Sequence, residues 1–321
     1  MVLVGRPDDP ADRPVGIEKL ADRVAIRYTD AAGLPEAIEH ADAVLVWDFF
    51  SSAVRSAWPR ATRLSWIHVA AAGVDKLLFD ELTESEVVVT NAAGTFDQPI
   101  AEYVLACVFA HAKQLRTSYH LSDMGTWRHR ETKSLAGAQA MVVGTGGIGR
   151  AIGRLLAAAG LEVRAAARAA RPGDKVFDEV VASVELAKYV GDVDYLVVAT
   201  PLTPATRGLI DATVLDALPD TAYVVNIARG PCLDQTALLD RVRAGRLAGA
   251  ALDAFDTEPL PADDPLWGDE RILVSPHMSG DVVGWREALA RQFLDNAERW
   301  LTGEPLRNVV DKRLGFAQPW Q

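Results

Sequence analysis

Residues 140–160 read AMVVGTGGIGRAIGRLLAAAG. An apolar run stops at Val143. Gly144, Gly146 and Gly149 then supply a G-x-G-x-x-G pattern, and apolar residues recur at Ile148, Ile152, Leu155 and Leu156, the spacing of one helix face. No other stretch restricts the fold so sharply, because a strand that turns this tightly into a helix is half of a βαβ unit. Gly144 permits the tight turn, Gly146 lets a pyrophosphate approach the backbone, and Gly149 lets helix and strand pack closely. The helix start offers N–H groups and partial positive charge to phosphate. Gly144, Gly146, Gly147, Ile148 and Gly149 are therefore expected to hold a dinucleotide. A merely structural turn, or one that holds S-adenosylmethionine, has the same pattern.

The next strand, LEVRAAA, bears on which dinucleotide. An NAD site usually places Asp or Glu about 20 residues beyond the glycines, where it accepts from the ribose hydroxyls. Here the strand ends in Arg168, followed by AARPGD. Arg168 and Arg171 suit a 2′-phosphate, since a guanidinium offers paired donors to phosphate oxygens. NADP is the preferred cofactor on this reading. NAD stays open, because arginines after a strand are also common on a solvated surface.

Around the turn, short apolar runs alternate with amphipathic stretches. Strands are expected at 2–5, 24–28, 43–47, 64–69 and 86–90, with helices at 16–23 and 33–39 between them. A second series comprises QAMVV, LEVRAAA, DYLVVAT, AYVVNIA, LAGAALD and RILVSP. Most of these runs are apolar on both faces, as in parallel strands covered on both sides. The chain is thus α/β, with two doubly wound parallel-sheet domains. One long helix is expected from Pro99 to about Leu121 and another over 284–302. The dinucleotide-binding domain is expected at 95–284, and residues 1–94 with 285–321 form the other.

Composition narrows the functional classes. The net charge is −11 over 321 residues, which argues against a general affinity for nucleic acid or anionic membranes. Two cysteines, Cys107 and Cys232, give neither a disulfide framework nor metal-ligand spacing. The opening MVLVGRPDDP is not expected to act as a signal peptide, and no apolar run is long enough to span a membrane. A reduced, cytoplasmic protein is expected.

Three later segments carry polar residues past strand ends, where open α/β sheets bind ligands. NIARG delivers Arg229, LDAFDTEP delivers Asp253 and Glu258, and SPHMSG delivers His277. Each alone has an ordinary structural explanation. In this order, downstream of the glycine turn, they resemble the D-isomer-specific 2-hydroxyacid dehydrogenase family. AAAGVD (70–75), TN with AEYVLA (90–106), GTW (125–127) and TPLTPATRGLI (200–210) extend the resemblance across most of the chain.

The resemblance implies a Rossmann cofactor domain inserted in a flavodoxin-like substrate domain, and a homodimer whose arm includes His129. It implies reduction of a small 2-keto acid, such as glyoxylate or hydroxypyruvate, to a D-2-hydroxy acid. His277 would be the general acid/base, Glu258 its ring partner, and Arg229 the substrate's anchor. The backbone N–H groups of Ala72 and Gly73 would take the substrate carboxylate. Thr200, Pro201, Thr206, Ile227, Ala228, Asp253, His277 and Gly280 would line the cofactor, with Asp253 toward the nicotinamide carboxamide. The chemistry is consistent: a keto acid needs a hydride on carbon and a proton on oxygen, and an imidazolium beside a carboxylate can supply the proton. Two departures are visible. Ala71 replaces the glycine that often opens the carboxylate loop, and His277 is followed by Ser279–Gly280 rather than the commoner small pair.

Trp47, Phe49 and Phe50 follow the third strand of the first series and either shape a substrate pocket or fill the core. Trp285 either closes the site or packs an interface. Cys232 reads as a packing residue. Two competing readings remain. One is an NAD(P)-sensing, corepressor-like binding protein. The other is a relative acting on formate or phosphite, against which stands Glu258, where formate dehydrogenases of this kind carry Gln.

Overall fold

The computed structural model describes residues 1–6, 9, 12–48 and 51–317. Phe49 and Phe50 lie outside the described residues. The chain divides into two compact units, Met1–Phe96 with Val282–Gln321, and Asp97–Asp281.

The first unit holds β1 (Val2–Val4), β2 (Arg27–Thr29), β3 (Ala43–Val46), β4 (Trp66–Val69) and β5 (Val88–Thr90), with α1 (Leu34–Ala37), α2 (Ala53–Ala57) and α3 (Asp80–Glu84). All neighbouring strands are parallel, in the order β2-β1-β3-β4-β5. This is the flavodoxin-like 2-1-3-4-5 arrangement. β3 and β4 are buried at every residue, which explains their two-sided apolar sequence. The strand expected at 24–28 forms at 27–29, because its short partner β1 sets the register, Val2 opposite Arg27. The helix expected at 16–23 is one 3₁₀ turn, Ile17–Leu20, entered through Gly16 at φ 86°.

The second unit begins with α4 (Asp97–Ala112) and α5 (Leu115–Asp123). It continues through β6 (Gln139–Val143), α6 (Gly147–Ala158), β7 (Glu162–Ala167), β8 (Arg171–Pro172), β9 (Glu179–Ala182), β10 (Tyr195–Val198), α7 (Ala212–Ala217), β11 (Tyr223–Asn226), α8 (Gln235–Arg243), β12 (Gly249–Leu252) and β13 (Ile272–Val274). The sheet order is β13-β12-β11-β10-β6-β7-β9-β8, with β8 antiparallel and the rest parallel. With β6 as the first strand, this is the doubly wound Rossmann order, extended by β13 at one edge and by the antiparallel β8 at the other. The order reverses at β6, between β7 and β10, the point at which such sheets bind ligands beyond their carboxyl ends.

Two expectations need correction. The long helix is two helices, broken at Gln114, which takes a left-handed φ of 50°. The break is held by the segment around 130–133: the Lys133 N–H donates to the Ala112 carbonyl at 3.0 Å, and the Arg130 guanidinium to the Gln114 carbonyl at 3.1 Å. Strand β9 was not anticipated, because its four residues EVVA carry too little periodicity to stand out.

The chain end completes the first unit with α9 (Trp285–Thr302) and a hairpin of β14 (Val310–Asp311) and β15 (Phe316–Ala317). Phe293 of α9 stacks on Trp66 at 5.7 Å, with the planes 13° apart, and lies 5.5 Å from His68. Trp66 Nε1 donates to Thr90 Oγ1 at 2.9 Å, and His68 Nδ1 lies 2.8 Å from the same oxygen. Lys312 Nζ donates to the carbonyls of Leu82 and Val87 at 2.9 and 3.0 Å.

Candidate active site

The glycine turn follows β6 and opens α6. Gly144 has φ 119°, a conformation L side chains avoid, and a Cβ there would lie 2.5 Å from the Ala199 carbonyl oxygen of the loop after β10. A Cβ on Gly149 would overlap the Gly144 carbonyl, so this glycine sets the approach of α6 to its strand. At Gly146 a Cβ would meet nothing within 4 Å, so that face is open. No side chain caps α6 at Gly146. Gly147 is abutted by the Asp97 carboxylate at the start of α4, and Ile148 follows within the helix.

At the end of β7, Arg168 is exposed and makes no side-chain hydrogen bond or ion pair among the described residues. Arg171 is exposed but ion-paired with Asp174 at 2.9 Å. Asp174 also takes Arg150 of α6 at 2.8 Å and the amides of Val176 and Phe177. These donors, Arg150 first, hold its carboxyl far below the ordinary carboxylate range. The two candidate arginines therefore differ: one is tied to an acid, the other is not.

Beyond β10, Thr206 folds its own loop. Its hydroxyl donates to the Pro201 carbonyl at 2.6 Å and accepts from the Thr203 N–H at 2.8 Å, while Thr200 is partly exposed just past the strand.

Arg229, Glu258 and His277 come from the ends of β11, β12 and β13, three adjacent parallel strands. Asn226, wholly buried, shapes the Arg229 turn: its side chain donates to the Arg229 carbonyl at 3.2 Å and accepts from the Ala228 N–H at 3.1 Å. Ile227 and Ala228 are buried within that turn. Gly230 lies against the backbone of Phe255 and Asp256, where a Cβ would overlap. This close approach brings the Arg229 and Glu258 segments together. The Arg229 guanidinium donates to the Ala228 carbonyl at 2.8 Å.

His277 Nδ1 lies 2.9 Å from Glu258 Oε2 and 3.1 Å from Oε1, and Oε1 also accepts from the Phe255 N–H at 2.9 Å. Burial alone would push the Glu258 carboxyl up. The His277 ring, the Phe255 amide and the Arg229 charge outweigh it and hold the group below its ordinary value. Glu258 is thus a carboxylate at neutral pH and can only accept, so Nδ1 of His277 carries a hydrogen.

Asp253, 1% exposed, has both oxygens engaged. Oδ1 accepts from Ser275 Oγ at 2.6 Å and the Met278 N–H at 2.9 Å, and Oδ2 from the Ser279 N–H at 2.8 Å. Ser279 and Gly280 are buried just beyond. Asn226, Ser275 and Tyr103, which bonds Ser275, were given no role from the sequence. The one signal for Asn226 was its place in the NIARG motif.

In the first unit, Ala72 and Gly73 lie in a bend after β4. Their N–H groups make no hydrogen bond among the described residues, and the Ala72 carbonyl is fixed by Asn91 Nδ2 at 2.5 Å. Trp47 is 5% exposed, presenting little surface. Trp285 sits 6.3 Å from the Phe96 ring, with the Arg286 guanidinium 4.5 Å over its face. Cys107 and Cys232 are free and buried. Among the described residues no cluster of His, Cys, Asp or Glu suits a metal ion, and no helix is long and apolar enough to cross a membrane.

Arg229, Glu258 and His277 thus follow three adjacent strands of the same sheet whose β6 leads into the glycine turn. The sequence model for the NAD-binding domain of D-isomer specific 2-hydroxyacid dehydrogenases matches residues 105–279. The chain belongs to this family, and is thus an oxidoreductase that works with a nicotinamide cofactor on small hydroxy or keto acids. It is 31% identical over 243 residues to a glyoxylate/hydroxypyruvate reductase A of Arabidopsis thaliana, covering 75% of this chain and 76% of the relative. The structure of a D-isomer specific 2-hydroxyacid dehydrogenase from Xanthobacter autotrophicus, solved with NADPH and MES, superposes with a TM-score of 0.81 at 29% identity, over 98% of this chain and 100% of that one. An NADPH-dependent glyoxylate/hydroxypyruvate reductase from Sinorhizobium meliloti, solved with NADP and sulfate, gives 0.80 at 25% identity over 98% and 99%.

Proposed function

We propose that the protein is an NADPH-preferring reductase of small 2-keto acids, of the glyoxylate or hydroxypyruvate type, with His277 as the proton donor. The single observation that carries this reading is the Glu258–His277 pair. The Glu258 carboxylate holds the hydrogen of Nδ1, which makes Nε2 the atom that gains and loses a proton. When bound, the reduced cofactor supplies a hydride to the keto carbon. His277 gives a proton from Nε2 to the keto oxygen, and Glu258 stabilises the imidazolium before that transfer. Arg229 pairs with the substrate and polarises its carbonyl. The N–H groups of Ala72 and Gly73 take the carboxylate.

The preference for NADPH rests on Arg168, which pairs with no acid among the described residues, and on the NADP named with two of the relatives. The preference for glyoxylate or hydroxypyruvate rests on the Arabidopsis and Sinorhizobium relatives. The exposed apolar side chains Tyr119 (71%), Met124 (64%) and Trp127 (100%), on α5 and just after it, support a homodimer. The decisive experiment is a panel of 2-keto acids assayed with NADPH and with NADH. Substrate-dependent oxidation of NADPH over NADH is expected. Cofactor binding with no turnover on any acid would favour the sensing protein instead.

A further inference from the structure

We infer that Tyr103 and Ser275 are positioning residues for His277. The inference rests on the reading of His277 as the proton donor and explains how the fold aims its ring.

His277 has φ 53°, in the left-handed region that residues other than glycine avoid. Such a backbone persists only where its surroundings impose it. Here one carboxylate grips the loop on both sides of the histidine. Asp253 accepts from the N–H groups of Met278 and Ser279, the two residues after His277, and from the hydroxyl of Ser275, two residues before it. The His277 N–H closes the turn on the Ser275 carbonyl at 3.0 Å.

The grip extends one residue further. Ser275 Oγ lies 2.5 Å from the Tyr103 hydroxyl. A carboxylate only accepts, so the single hydroxyl proton of Ser275 is committed to Asp253. The proton between Tyr103 and Ser275 is therefore tyrosine's, and the chain runs in one direction: Tyr103 O–H to Ser275 O–H to Asp253. Burial holds the Tyr103 phenol above its ordinary range, so it keeps this proton. A chain of donors ending on a buried charge is stronger and more directional than its separate links.

Tyr103 belongs to α4, which lies along α6, and the Asp97 end of α4 abuts Gly147 in the phosphate turn. One helix thus touches the cofactor turn at Asp97 and anchors the histidine loop at Tyr103. Removing the anchor leaves the histidine in place chemically but frees the loop that aims it, and small misplacements of a catalytic group are costly.

The test uses the whole enzyme with Tyr103→Phe, Ser275→Ala and both together. Four quantities are measured: kcat and KM, the NADPH Kd by fluorescence, the melting temperature, and the His277 imidazole nitrogen resonances by NMR, identified by their loss in His277→Ala. Each single change should lower kcat about tenfold and leave the NADPH Kd within twofold. Each should also move the His277 resonances, and the pair should do no more than Ser275→Ala alone. A lower melting temperature with unchanged kcat and unchanged resonances would overturn the inference and leave the chain a structural one. If the wild-type enzyme reduces no keto acid, or if His277→Ala still turns over, the proposed function fails. The resonances would then still report whether Tyr103 and Ser275 hold the ring.

Discussion

Nδ1 of His277 lies within 3.1 Å of both carboxylate oxygens of Glu258, although the two residues stand 19 positions apart, beyond different strands. This pair divides the labour of the ring's two nitrogens. Changing His277 to Ala should lower kcat by on the order of a hundred- to ten-thousand-fold, with NADPH affinity within about threefold by fluorescence titration, since the phosphate turn is untouched. Near-normal turnover would remove His277 from the reaction.

Glu258→Gln keeps the shape of the pair and removes its charge. The carboxyl of Glu258 is held below its ordinary value, so it is ionised throughout the neutral range and favours a protonated ring. Without it, the pH above which reduction declines should move downward. The check is kcat/KM for the keto acid against pH in both proteins; an unmoved alkaline limb contradicts the role.

Arg168 and Arg171 should be unequal. Arg171 is shared with Asp174, whereas Arg168 is not paired among the described residues. Arg168→Asp is expected to shift the NADPH/NADH ratio of kcat/KM toward NADH by roughly tenfold or more, the scale of losing a charged pair with phosphate. Arg171→Ala should shift it less. Equal effects would mean that the Asp174 pair opens on binding.

Ala72→Pro deletes an N–H group and also fixes φ at this position. If that amide takes the substrate carboxylate, KM for the keto acid should rise roughly tenfold or more, as for other hydrogen bonds to charged groups. The NADPH Kd should stay the same. A KM unchanged by the substitution would assign carboxylate binding elsewhere.

The stability of the fold should fall in acid partly through His68. Burial lowers this group to about 3, so between its unfolded value near 6.5 and that point the unfolded chain holds a proton that the folded chain does not. Stability contributed by the neutral ring is therefore lost as pH drops below about 6.5. Urea midpoints measured from pH 7 to 4 should fall less steeply in His68→Phe. At neutral pH, Phe293→Ala, which empties the site stacked on Trp66, should cost about 3–5 kcal/mol.

Much of this was open to a reader of the residues. The turn after Val143 was legible because its glycines answer local needs: Gly144 requires a positive φ, and Gly149 must let a helix lie on its strand. Strands such as β4 and β10 announced themselves because both faces are buried, so their apolar runs are unbroken. Arg229, Glu258 and His277 were legible as a signature in order, each just past a strand. The break at Gln114 was not, because its cause is a segment near 130–133 that supplies hydrogen bonds from outside the helix.

What the sequence determined by itself is local: the period of its apolar residues, the places where only glycine fits, and the order of its chemical groups. Tertiary structure alone decided which groups meet. It put Asp174 on Arg171 and gave Arg168 no such partner among the described residues, closed the first unit with Phe293 from the far end of the chain, and ran a hydroxyl chain from Tyr103 through Ser275 to Asp253. Hydrogen bonds and ring contacts act over a few ångströms in space, whereas 172 residues separate Tyr103 from Ser275 along the chain. No periodicity within a segment carries that information.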